Sequence, residues 1–145
     1  MKKVVNEMRL RLPARSENEA VCRAVISAFM AELNPTVEEI GDIRCAVSEA
    51  ITNSIVHGYR DFEDTSRAYV YISARLYDTR EISVEISDNG CGIEDVSLAM
   101  QPMYTTGGEE RSGMGFLVMQ SFTDSLTVKS KVGRGTSVLM RKKLS

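Results

Sequence analysis

The sequence predicts an α+β fold: a two-layer α/β sandwich with helices on one face of a mixed, mostly antiparallel sheet. Three observations carry that expectation. Residues 66–78 and 81–86 alternate apolar and polar side chains on either side of a short turn, the pattern of an antiparallel hairpin. Two helical stretches precede the hairpin, each behind a Ser/Thr-x-x-Glu box. The order is strand, helix, helix, strand, strand, short helix, loop, helix, strand, strand, which is not the alternation of a parallel doubly wound sheet.

The first strand comes from Met8, Leu10 and Leu12 alternating with Arg9 and Arg11, and Pro13 ends it. Ser16-Glu17-Asn18-Glu19 opens the first helix as a capping box, with Val21, Val25, Ala28 and Phe29 as its apolar face. Asn34-Pro35 stops it. Thr36-Val37-Glu38-Glu39 is a second capping box, and the helix behind it runs to about Val56, with His57-Gly58 as its exit. Ile40, Ile43, Val47, Ile51 and Ile55 form its core stripe.

In the hairpin, Ala68, Val70, Ile72, Ala74 and Leu76 share one face, Asp78-Thr79-Arg80 turns the chain, and Ile82, Val84 and Ile86 continue the alternation. Residues 94–100 suggest a short helix, 101–112 a polar loop and 113–122 another helix. Leu126, Val128 and Val132 suggest a strand, Gly133-Arg134-Gly135 a turn, and Thr136, Val138 and Met140 the last strand.

The 145 residues suffice for one domain with a real core, so residues 1–145 are expected to form a single unit. A net charge of −2 argues against a general nucleic-acid binder, and Arg141-Lys142-Lys143 reads as a solvated end. No apolar run approaches the ~20 residues of a membrane span. The N-terminus lacks the apolar stretch of a secretory signal. Cys22, Cys45 and Cys91 form no C-x-x-C pair, so buried or semi-buried free thiols in a reducing cytoplasm are expected, with neither zinc nor disulfides.

Four stretches could carry chemistry. On the second helix Glu49, Asn53 and His57 recur at four-residue steps, bordered by Ala46, Ala50 and Val56. Either Glu49 and Asn53 are a solvated pair, or that side of the helix lines a pocket. In a pocket the Asn53 amide oxygen suits Mg²⁺, and Glu49 could take the proton of a hydroxyl attacking a phosphate. His57, the sole histidine, fits a role at the helix C-terminus.

Asp88-Asn89-Gly90-Cys91-Gly92 follows a strand. Asp88 there could accept from the exocyclic amine of adenine while Gly90 and Gly92 let backbone approach the flat base. The competing reading is an Asn-Gly hairpin turn, although no strand follows Gly92. The third stretch runs from Thr105, Gly107 and Gly108 through Arg111 to Gly113-Met114-Gly115. It reads as a hinged polar lid leading into a helix whose free N–H groups suit phosphate. The fourth, Gly133-Arg134-Gly135-Thr136, is a turn whose Thr136 hydroxyl could reach the base or a bridging water.

The order of these stretches is more specific than any one of them. E-x-x-x-N on a helix, then D-x-G-x-G, a lid ending in G-x-G, and G-x-G-T resembles the Bergerat ATP-binding fold of the GHKL superfamily, shared by gyrase, histidine kinases and MutL. "VSEAITNSIVHGY" and "RSGMGFLVM" further resemble the small serine kinases that act as anti-sigma factors, most closely the sporulation type of Bacillus-like bacteria. The resemblance covers about residues 15–140. It implies Mg·ATP, with Glu49 as catalytic base, Asn53 on the metal, Asp88 on the adenine amine and Gly90 and Gly92 beside the base. It also implies a cytoplasmic homodimer that sequesters a sigma factor and phosphorylates an anti-anti-sigma protein on serine. The chain departs from the pattern in offering only Gly113 and Gly115 where three glycines would stand.

Alternatives sort by residues. A self-phosphorylating histidine kinase needs an acceptor outside the nucleotide motif, and His57 lies inside it. A gyrase-like machine needs transducing domains. A nucleotide-gated sigma-binding module would not need Glu49. For partner contact, Arg15, Glu19 and Arg23 form a polar stripe on the first helix that is either solvated or a docking face.

Overall fold

A computed structural model of the chain describes residues 2–100 and 115–145. Strand β1 (Val4–Pro13) leads to helix α1 (Glu17–Met30), a 3-10 turn (Ala31–Leu33), and helix α2 (Val37–Thr52) with a π-helical extension (Asn53–Gly58). Strands β2 (Tyr69–Tyr77) and β3 (Glu81–Asp88) follow, then α3 (Val96–Ala99), α4 (Gly115–Ser121), β4 (Ser125–Lys131) and β5 (Gly135–Lys143). This is the expected two-layer α+β sandwich. The sheet order is β1-β2-β3-β5-β4, and all four pairings are antiparallel, so among the described residues the sheet is wholly antiparallel where a mixed, mostly antiparallel one was expected.

The inner face of the sheet is built by register. Leu10, Ile72, Ile86, Val138 and Val128 stand side by side across all five strands, so one apolar row crosses the whole sheet. Ile43, Val47 and Ile51 of α2, Cys22, Ile26 and Met30 of α1, and Phe116 and Met119 of α4 join the same core. Burying each of the larger side chains contributes roughly 1.5–3 kcal/mol before chain entropy is counted. α2 packs between α1 and α4, which places its C-terminal end over the tip of β3.

The hairpin turn forms as expected. Arg80 adopts a left-handed φ of 64°, closing a three-residue loop between Tyr77 and Glu81. The Thr36 box also forms: Thr36 Oγ1 accepts from Glu39 N at 3.1 Å, and Glu39 Oε1 accepts from Thr36 N at 2.8 Å. The Ser16 box does not. Ser16 already has helical φ and ψ, and its hydroxyl donates to Glu17 at 3.2 Å and caps nothing. A residue in helical conformation cannot turn its side chain back onto the first N–H groups, as an extended N-cap does.

Other expectations are corrected. The buried ridge of α1 is Cys22, Ile26 and Met30, while Val21 and Ala28 face solvent and Val25 and Phe29 only flank the ridge. Counting cysteine as apolar would have found this phase. β4 ends at Lys131, leaving Val132 63% exposed in the turn. Of the three thiols, Cys22 is buried, its pKa pushed up to about 12 by burial, and Cys91 is half-buried, but Cys45 is exposed. No helix among the described residues is long and apolar enough to cross a membrane.

Candidate active site

The site is built where β3 ends against the exit of α2. Asp88, the last residue of β3, is 4% exposed. Its Oδ1 accepts the Gly90 N–H at 2.9 Å and its Oδ2 accepts the Ser54 hydroxyl at 2.8 Å. Burial pushes the carboxyl pKa up, opposed by hydrogen bonds from Ser54, the Gly90 N–H and the Thr136 N–H. Three donors from the protein leave acceptor capacity on the carboxylate for a ligand, since its two oxygens together offer about four lone-pair sites.

The glycines around Asp88 do more than the sequence suggested. A Cβ on Gly90 would lie 1.9 Å from the Gly58 carbonyl oxygen, and one on Gly92 would lie 2.2 Å from the Lys131 carbonyl oxygen. Gly135, at φ 114°, would bring a Cβ within 2.0 Å of the Asp88 carbonyl. Gly58 faces the carboxylate, where a Cβ would stand 3.1 Å from its carbon and both oxygens. These glycines let four chain segments meet around Asp88. Close backbone packing by itself requires glycine at these positions.

Hydrogen bonds lock the same segments. Cys91 N donates to Gly58 O at 2.6 Å and Gly133 N to Cys91 O at 2.8 Å. Tyr59 OH accepts from Asn89 N at 3.0 Å and donates to Tyr69 O at 2.6 Å, and burial raises its pKa. Ser130 Oγ accepts from Ile93 N at 2.7 Å and lies 2.8 Å from Thr136 Oγ1 and 3.0 Å from Gly135 O. The buried Thr136 hydroxyl is therefore turned toward Ser130.

Glu49 and Asn53 lie half-buried one turn apart. A Cβ on Gly115 would be 3.3 Å from Glu49 Oε2, so α4 begins beside that carboxylate. Asn53 opens the π-helical stretch, and Ser54 beside it reaches Asp88. The four-residue stripe from Glu49 breaks here, because i→i+5 bonding widens each turn and His57 falls short of completing one. The His57 carbonyl accepts from Cys91 Sγ at 3.3 Å and from Arg60 at 3.1 Å, a backbone role at a helix end.

The structure thus brings Asp88, Gly90 and Thr136 into one hydrogen-bonded cluster, with Gly92 packed against Lys131 behind it, Asn53 next to Ser54 and Glu49 beside Gly115. Thr105, Gly107, Gly108, Arg111, Gly113 and Met114 lie outside the described residues. Of the α1 stripe, Glu19 accepts from Thr52 and Arg23 donates to Ser48 at 3.3 Å, both on α2, while exposed Arg15 pairs with Glu17 at 2.9 Å. Sequence reasoning missed Ser54, Tyr59 and Ser130. Tyr59 had a signal, since a tyrosine directly after a helix exit and buried in the fold needs partners for its hydroxyl.

A buried acceptor carboxylate at a strand end, ringed by glycine contacts and facing the C-terminal end of a helix bearing Glu and Asn, defines a class. Residues 12–142 match the model of the histidine kinase-like ATPase domain, and the chain belongs to that family. Within it, relatives that match end to end include anti-sigma F factors. Identity is 48% over 141 residues with the anti-sigma F factor of Clostridium botulinum strain Eklund 17B, covering 97% of this chain and 96% of that protein. It is 50% over 141 residues with that of Clostridium perfringens strain SM101, covering 97% and 98%. A solved structure of the RsbU and RsbW domains of a Mycobacterium tuberculosis protein superposes with a TM-score of 0.71 at 19% identity. It covers 97% of this chain and 33% of that longer one, and it speaks for the fold alone.

Proposed function

We propose that this chain is a cytoplasmic, homodimeric anti-sigma factor of the sporulation type. It sequesters a sigma factor, and it transfers the terminal phosphoryl group of ATP to a serine of an anti-anti-sigma protein. The observation that carries the ATP reading is the buried Asp88 carboxylate, held by Ser54 and Gly90 with lone pairs left for an amine. The end-to-end likeness to anti-sigma F factors supports the sigma-factor reading.

In this reading Asp88 orients the nucleotide through the adenine amine. The Glu49 carboxylate accepts the proton of the attacking serine hydroxyl, from a position next to the N-terminus of α4. The Asn53 amide oxygen fits Mg²⁺, which takes oxygen ligands and would supply charge neutralisation at the phosphates. Asn53 would hold it. Gly113, Met114 and Gly115 would offer backbone N–H groups to phosphate, and Thr105, Gly107, Gly108 and Arg111 would form the lid. Arg15, Glu19 and Arg23 would face the protein partners, so charge reversal at Arg23 lowers sigma-factor affinity.

The test is label transfer from γ-labelled ATP with Mg²⁺ to candidate anti-anti-sigma proteins, wild type beside Glu49→Gln. Phosphoserine with wild type, and a loss of about 10²–10⁴-fold in a variant that still binds ATP, is expected. ATP binding without transfer by either protein would favour a nucleotide-gated binding module.

A further inference from the structure

Resting on the nucleotide reading above, we propose that Ser54 is a positioning residue for base recognition. Its hydroxyl holds the Asp88 carboxylate in the orientation that presents acceptor lone pairs to a base amine. The argument starts from geometry. Ser54 and Asp88 are both 4% exposed, and they are joined by one hydrogen bond of 2.8 Å. An ionised carboxylate only accepts, so the Ser54 hydroxyl must donate. The opposite oxygen is held by the Gly90 N–H. One edge of the carboxylate is therefore fixed by backbone from its own loop, and the other by a side chain from the helix that also carries Glu49 and Asn53.

The surroundings make the bond consequential. The groups that face Asp88 are Ser54 and Gly58 from the π-helical stretch, Tyr59 just beyond it, Gly90 from the loop and Thr136 from β5. Among these only Tyr59 titrates, and burial keeps its phenol neutral at physiological pH. No cation among them balances the carboxylate, so hydrogen bonds alone oppose its desolvation. Two of the three are backbone N–H groups that belong to the fold itself. Ser54 contributes the third, the only one supplied by a side chain.

The consequence is selectivity among bases. An ionised, oriented carboxylate accepts from an exocyclic amine and repels a carbonyl at the same ring position. Without the Ser54 hydroxyl, the carboxyl is freer to rotate and more readily protonated. A protonated carboxyl can donate to a carbonyl, which weakens the discrimination.

The experiment uses the full chain. The Asp88 carboxyl resonance is titrated by carbon NMR in wild type and Ser54→Ala without nucleotide. ADP and inosine diphosphate, which replaces the base amine with a carbonyl, are then titrated into both proteins by calorimetry. In Ser54→Ala the Asp88 midpoint is expected to move up, ADP affinity to fall about tenfold, and the preference for ADP over inosine diphosphate to shrink. A merely structural role would lower both affinities alike and leave their ratio unchanged. Unchanged ADP affinity in Ser54→Ala overturns the proposal, as does an unchanged ratio. A wild type that binds neither nucleotide overturns the nucleotide reading and this proposal with it. That case is told apart by the carboxyl titration, which still reports on the Ser54–Asp88 bond.

Discussion

The Gly58 carbonyl oxygen stands 1.9 Å from where a Cβ of Gly90 would be, so the loop after β3 lies against the exit of α2 at a distance that only a glycine at position 90 allows. The Cys91 N–H closes the same seam onto Gly58 O at 2.6 Å. Any side chain at position 90 must part the strand tip from the helix.

Gly90→Ala should therefore destabilise the protein by about 1–3 kcal/mol and weaken nucleotide binding together. Gly41→Ala is the matched control: it lies within α2, and nothing stands within 4 Å of its Cβ position. It should stabilise by about 1 kcal/mol through helix propensity. Urea midpoints at constant slope measure both, and equal effects of the two substitutions would contradict the contact described.

Asp88→Asn separates stability from binding. An asparagine can accept the Gly90 N–H with its oxygen and donate to the Ser54 oxygen with its amide, so the local bonds survive. Burial raises the Asp88 pKa, so the wild-type carboxyl favours folding in acid. That contribution is lost as pH rises through the folded-state value. The variant should gain on the wild type in stability from acid to neutral pH while losing ATP affinity. Melting curves across that range, paired with calorimetry, would check both halves.

Glu39 behaves in the opposite sense. Hydrogen bonds from the Thr36 N–H and the Ser145 N–H hold its pKa near 2, below the ordinary 4.5. A depressed carboxylate contributes stability above its unfolded value, and that contribution is lost as pH falls through the folded one. Glu39→Gln should match the wild-type pH dependence above about pH 5 and show a shallower decline between 4.5 and 2. Denaturant midpoints at pH 6, 4 and 3 would reveal parallel curves if the capping box were not formed.

Much of the layout was legible because period and turn chemistry are local. The β2–β3 alternation around Asp78-Thr79-Arg80, the Thr36 box and the Ile43, Val47, Ile51 stripe all follow from neighbours in the chain. The pairing of β3 with β5, which brings Thr136 to Asp88, is a long-range choice that no local pattern encodes. The same limit hid Ser54, whose importance comes from a partner 34 residues away. Ser16 misled for a different reason: the box was present, but a turn through Arg15 and Ser16 had already committed the backbone to helical angles. Asp88 itself was found because a carboxylate ending an alternating strand is a local feature.

The π-helical stretch at Asn53–Gly58 means that the site is encoded partly as a count of residues. Removing one residue there would let the segment wind as a regular α-helix. Everything beyond it would swing by about 100° around the axis. The hydrophobic stripe of α2 would be untouched, and the chain would still have every residue type that its motif requires. Yet Gly58 and Tyr59 would no longer meet Asp88 and Asn89. A single-codon deletion could thus leave a folded protein whose parts are complete and whose pocket is out of phase.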